Sequence, residues 1–235
     1  MLISTNCFKD LPSTFENKEK NKEYKDEGYN PYVNNNGSLL GFKGKDYLIL
    51  GSDTRLSVGY SILSRDSPKI FKITEKSYLA SSGMYADIIA LQKNLKIRVD
   101  LYKSANHYEP SIECLAQLLS VTLYGRRFFP YYTFNCLAGV NDDGEMKMYG
   151  YDAIGSYDEL EYLSNGSGKE LITPVLDSLL KYPDSKLDLE TGKRLALTAI
   201  NACANRDIYT GDYFEMIVLH KDGRVEASKH DLRKD

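Results

Sequence analysis

The chain commits to a sheet within its first folded stretch. Leu39-Leu40-Gly41-Phe42 and Tyr47-Leu48-Ile49-Leu50 are short apolar runs separated by Gly44-Lys45-Asp46. Runs of that length, broken by glycine and a turn, predict a β-hairpin rather than a helix. The second run passes into Gly51-Ser52-Asp53-Thr54-Arg55, and Lys69 follows sixteen residues after Asp53.

Downstream, the period of the apolar residues switches back and forth. Residues 69–73 and 76–81 read as a second pair of strands, and Ser82-Gly83 closes them. Met84, Ile88, Leu91, Leu95 and Val99 then recur in steps of three and four, the apolar face of a long helix. Glu109-Pro110-Ser111 interrupts, and Ile112, Leu115, Leu119 and Leu123 mark a second helix. Residues 131–140 and 146–151 are strands about the turn signal Asn141-Asp142-Asp143-Gly144. Residues 157–163 read as one further strand, 171–180 and 195–204 as helices, and 214–219 with 225–227 as a closing hairpin. Strands, two helices, strands, two helices, strands: the order predicts an α+β fold of two antiparallel sheets covered by helices.

The N-terminal part is different material. Residues 16–27 are charged, mixed in sign and nearly free of apolar side chains, too polar to offset their own ordering entropy. Asn34-Asn35-Asn36-Gly37 then leads into the apolar pattern, so the expected division is a polar extension over 1–36 and one domain over 37–235. A formal charge of −3 argues against nucleic acid or an anionic membrane as the main partner. No run has the ~18 apolar residues of a membrane-spanning helix, and Met1-Leu2-Ile3 does not open a signal peptide. Cys7, Cys114, Cys136 and Cys203 are dispersed, which fits reduced core thiols better than disulfides, and His107, His220 and His230 have no metal-ligand spacing. The 19 tyrosines suit wet protein–protein contacts, with compositional bias as the equal alternative.

From Gly37 onward the ordered set resembles the β subunits of the proteasome, within the amino-terminal hydrolases. It comprises Ser52-Asp53-Thr54-Arg55, Lys69, Ser82-Gly83, residues 124–132, Asn165-Gly166-Ser167-Gly168 and residues 206–212. The resemblance implies a four-layer αββα sandwich. It also implies partners, the other proteasome α and β subunits in stacked seven-membered rings, with no nucleic acid and no membrane. No cofactor and no metal are implied, and the implied location is cytoplasm and nucleus.

In active members a free N-terminal threonine attacks the peptide carbonyl with its own α-amine as proton acceptor, supported by an aspartate, a lysine, a serine and a second aspartate. The resemblance matches Asp53, Lys69, Ser167 and Asp207 to the supporting positions and Gly37 to the nucleophile, and glycine has no side chain to attack with. Residues 64–69 and 126–132 look like a non-catalytic kind of β subunit. The expectation is therefore a structural ring subunit that is not itself an enzyme and has no catalytic residue. Its four supporting residues form a vestigial, structural pocket, with Ser167 and Asp207 equally natural as loop and cap hydrogen-bonders. Two rivals stay open. Cleavage after Gly37 would free Ser38 as a serine nucleophile, although one position along a strand turns the side chain to the other face. A free-standing scaffold would run as a lone ~27 kDa species.

Overall fold

The computed structural model describes residues 30–35, 37–181 and 187–234. Residues 32–235 make one compact unit, and of the other, Met1–Pro31, only residues 30 and 31 are described. The charged run at 16–27 and Cys7 lie outside the described residues.

One sheet is built from β1 (Ser38–Lys43), β2 (Tyr47–Asp53), β10 (Tyr162–Gly166), β11 (Tyr213–His220) and β12 (Val225–Asp231), in the order β10-β1-β2-β11-β12. The other runs β5-β6-β7-β8-β9, from β5 (Ile70–Thr74), β6 (Ser77–Gly83), β7 (Thr133–Val140), β8 (Met146–Tyr151) and β9 (Tyr157–Glu159). All pairings in both sheets are antiparallel. Helices α1 (Tyr85–Asn106) and α2 (Ile112–Tyr124) cover the second sheet; α3 (Lys169–Leu180) and α4 (Leu189–Ala204) cover the first.

The period-two alternation of the strands sorts their side chains into three apolar layers. Leu40, Phe42, Tyr47, Ile49, Phe214, Met216 and Val218 pack with Ile172, Leu176, Ala196, Ala199 and Ile200 of α3 and α4. Their neighbours Leu39, Leu48, Leu50 and Leu219 turn the other way, onto Ala80, Cys136, Ala138 and Met148 of the facing sheet. Leu79, Leu137, Tyr149 and Tyr151 close the far side against Leu91, Leu95, Leu115 and Leu119 of α1 and α2. This is the four-layer αββα sandwich that the resemblance implies. A fully buried leucine contributes about 1.5–3 kcal/mol, so the middle layer alone welds the sheets firmly.

Three local expectations need correction. Residues 157–163 are not one strand: Leu160 and Glu161 step the chain from β9 in one sheet to β10 in the other. The sequence carries no mark of the crossing, because Leu160 in the step and Leu163 in β10 both pack against the same inter-sheet layer. Helix α4 starts at Leu189, six residues before the predicted 195, because the Asp188 side chain accepts from Thr191 N at 3.2 Å and caps it. A small hairpin of β3 (Leu56–Val58) and β4 (Ser61–Ser64) stands outside both sheets. Among the described residues Cys136 and Cys203 are buried free thiols and Cys114 is a half-buried one. No described helix is long and apolar enough to cross a membrane, and no described cluster of His, Cys, Asp and Glu could hold a metal ion.

Candidate functional site

The end of β2 delivers Asp53 and the approach to β5 delivers Lys69 to one buried point between the sheets. Lys69 Nζ donates to Asp53 Oδ1 at 2.8 Å, and its other hydrogens go to the carbonyl oxygens of Asp53 (3.1 Å) and Arg55 (2.8 Å). The carboxylate is equally committed. Oδ1 also accepts from Ser38 N at 2.7 Å, and Oδ2 from Arg55 N at 3.1 Å. Full burial pushes the Asp53 carboxyl up, against the downward pull of the Lys69 ammonium and the two N–H groups.

Gly37 lies directly over this pair. A Cβ built there would meet Lys69 Nζ at 2.3 Å and Asp53 Oδ1 at 2.9 Å, and the backbone φ is +90°. The residue therefore faces the ammonium, as its matched position implies, but leaves no space for a side chain.

Ser167 and Asp207 meet on the other face. Ser167 Oγ donates to Asp207 Oδ2 at 2.6 Å, and Thr210 Oγ1 donates to the same oxygen at 2.7 Å. With its proton so placed, Thr210 accepts from Ser38 Oγ at 2.6 Å, and Ser38 Oγ in turn accepts from Gly168 N at 3.0 Å. A continuous chain of hydrogen bonds thus runs from the start of α3 through Ser38 and Thr210 to Asp207. Cys203 Sγ adjoins it, 3.5 Å from both hydroxyls, with burial pushing its thiol up.

The two halves are joined by a single peptide group. The Gly37 carbonyl oxygen accepts from Ser167 N at 2.9 Å, with Ser167 Oγ at 3.3 Å, while the Ser38 N–H goes to Asp53. All four predicted residues are therefore brought together, as two pairs gripping opposite ends of the Gly37–Ser38 amide. Thr210, a member of the relay, had no role assigned from sequence, although it sits inside the 206–212 segment that carries the resemblance.

A second buried ion pair went unassigned too. Arg55 Nε donates to Asp212 Oδ2 at 2.8 Å, with both residues essentially inaccessible, and Arg65 reaches the other carboxylate oxygen. Arg55 also donates to the carbonyl oxygens of Ile208 (2.9 Å) and Arg233 (3.3 Å). No signal in the sequence marks this pair, whose carboxylate arrives 157 positions after the arginine.

A family model described as "Proteasome subunit" matches residues 33–219. The chain is 44% identical over 217 residues to proteasome subunit beta type-1 of Arabidopsis thaliana, covering 88% of this chain and 97% of that protein. It is 44% identical to the protein of the same name from Oryza sativa subsp. japonica, over 87% of this chain and 96% of that one. Against its namesake in Dictyostelium discoideum the identity is 39%, over 95% of this chain and 98% of that one. These matches correct the expectation of a non-catalytic chain that is not an enzyme. The relatives bear the name of a proteasome subunit, and nothing in that name sets the chain apart from catalysis, so neither label stands.

Proposed function

The chain belongs to the proteasome subunit family, beside its beta type-1 members, and we propose that it works as a β-ring subunit of a 20S core particle that breaks down proteins. Its partners are other α and β subunits, and no described helix could cross a membrane. The observation that carries the reading is the match of one family model to residues 33–219, which takes in the four described helices and every strand through β10, with most of β11. In it, residues 37–235 form the ring-building domain, 1–36 its extension, and cytoplasm and nucleus its location. Native mass spectrometry of the tagged chain from its own cells tests this. Recovery in a particle of several hundred kDa supports the proposal, and recovery only as a lone ~27 kDa species overturns it.

One observation favours a second reading, an amino-terminal hydrolase that cuts after Gly37 and works through Ser38. The Gly37 carbonyl carries Ser167 N–H at 2.9 Å, a donor of the kind that stabilises developing negative charge, and the adjoining Ser38 nitrogen rests on Asp53. This chemistry demands that Ser38 Oγ leave Thr210 and Gly168 and that the buried strand end open. Intact-mass analysis after saturating treatment with a hydroxyl-directed covalent peptide inhibitor decides it. An adduct on Ser38 of a chain starting at residue 38 supports the reading; labelling of other subunits alone, with this chain unmodified, defeats it.

A further inference from the structure

Beside Ser167 the space between the sheets opens into a cavity of about 280 Å³. Strand alternation sets what faces it. Ser82 follows Ala80 on β6, Phe134 precedes Cys136 on β7, and Asn165 follows Leu163 on β10, and each of those partners lies in the inter-sheet layer. The three side chains therefore share one space, with Tyr132 in edge contact with Phe134 at 5.7 Å.

Two features of this cavity go unexplained by the fold. Ser82 is 1% exposed, and its hydroxyl oxygen has no hydrogen-bond partner among the described residues. A buried hydroxyl left so forfeits the bonds it had in water, a deficit that a ligand oxygen would remove. Second, Lys169 is the one charged residue among the described residues lining the cavity, and it pairs with no described carboxylate. It is also the first residue of the twelve-residue helix α3, so the positive end of the helix dipole adds to its ammonium.

An aromatic wall, a waiting hydroxyl, an amide and a cation with no acid among them make a receptor for a carboxylate on an apolar stem. The volume falls just below the usual range for small-molecule sites, which suits one residue rather than a longer ligand. From this geometry we infer that the cavity binds the C-terminal residue of a peptide, its carboxylate held by Lys169 and Ser82 and its side chain against Tyr132 and Phe134. This deepens the proposed function and rests on it, since a protein-degrading particle generates such free carboxylates continuously. An aspartate or glutamate side chain shares the same chemistry, and the experiment separates the two.

Purified core particles carrying the chain are exposed to three photoreactive tripeptides: a free acid, its C-terminal carboxamide, and a carboxamide with an internal glutamate. Crosslinks are mapped by peptide mass spectrometry. The expected result is that the free acid labels segments 132–134 and 165–169 about tenfold more than either carboxamide, the weight of one charge-assisted contact. Lys169→Gln should remove about that factor, and Ser82→Ala a smaller part of it. Equal labelling by acid and plain carboxamide, or labelling indifferent to Lys169→Gln, overturns the inference. Preferential labelling by the internal glutamate overturns its C-terminal form. Native mass of the wild-type particle separates the failures: a chain absent from the particle defeats the functional reading, and a chain present but indifferent to the carboxylate defeats this inference alone.

Discussion

Ser38 gives its backbone N–H to the Asp53 carboxylate at 2.7 Å, so the last rung between β1 and β2 is made by a side chain. The backbone ladder between them ends one step earlier, at Leu39 and Ser52. Because Asp53 simultaneously carries Lys69, the strand end and the buried charge pair stand or fall together.

Replacing one partner of that pair should therefore be severe. Lys69→Met leaves a carboxylate that is 0% exposed without its counter-charge, and the expected loss is about 3–5 kcal/mol. Asp53→Asn with Lys69→Met removes both charges and should cost clearly less than the sum of the single changes. Chemical unfolding of the four proteins checks this as a double-mutant cycle.

Gly37→Ala should destabilise as well, for a different reason. The new methyl group would overlap Lys69 Nζ in a backbone region that L-residues avoid, at a cost of about 1–3 kcal/mol. Thermal unfolding reads the loss. A companion Gly37→Ala/Lys69→Ala protein, in which the overlap is relieved, should show a smaller penalty for the alanine at 37 than the wild-type background does.

The Arg55–Asp212 pair predicts a local phenotype. Asp212→Ala leaves a buried guanidinium short of its carboxylate, and Asp212 also exchanges backbone hydrogen bonds with the final segment, to Arg233 O and from Leu232 N, both at 3.0 Å. Limited proteolysis should cut the C-terminal residues of Asp212→Ala several-fold faster than those of wild type, before the rest of the domain unfolds. Asp212→Asn, which tolerates the left-handed φ of +68°, should sit between the two.

Tyr47 supplies a pH dependence. Burial pushes its phenol up to about 12, with the Asp188 charge adding to the effect. An unfolded tyrosine ionises near pH ~10, so the folded state holds its proton longer. Its contribution is fully present below pH ~10 and is lost as the pH rises through the folded value. Stability measured from pH 9 to pH 12 should fall more steeply in wild type than in Tyr47→Phe.

The sheets were readable because continuous apolar runs such as Tyr47–Leu50 mark strands buried on both faces. The meeting of Asp53 with Lys69 was legible through the resemblance, since two hairpin strands, β3 and β4, separate them along the chain. The relay through Thr210 was not, because it closes between residues 172 positions apart, whose meeting depends on where α4 ends. Arg55 illustrates a different gap. An arginine after a strand reads as solvent-facing by composition, and its burial becomes intelligible only once Asp212 arrives from the far end of the chain. The non-catalytic label failed on another ground: it was inferred from the missing side chain at Gly37 and from the look of residues 64–69 and 126–132, and the family names do not carry it.

The step at Leu160 and Glu161 links the sheets covalently, beside their shared apolar layer. Lys43, closing β1, bonds Glu159 on one side of the step at 2.9 Å and Glu161 on the other at 3.0 Å, spanning the crossing like a staple. Two residues of chain are a short tether, so seating β9 beside β8 confines β10 to a narrow arc at the edge where it pairs with β1. The search for the second edge is thus nearly finished when the first is made. Lengthening the tether by flexible residues should leave both sheets intact yet slow their union, making this short stretch a clock for the assembly of the sandwich.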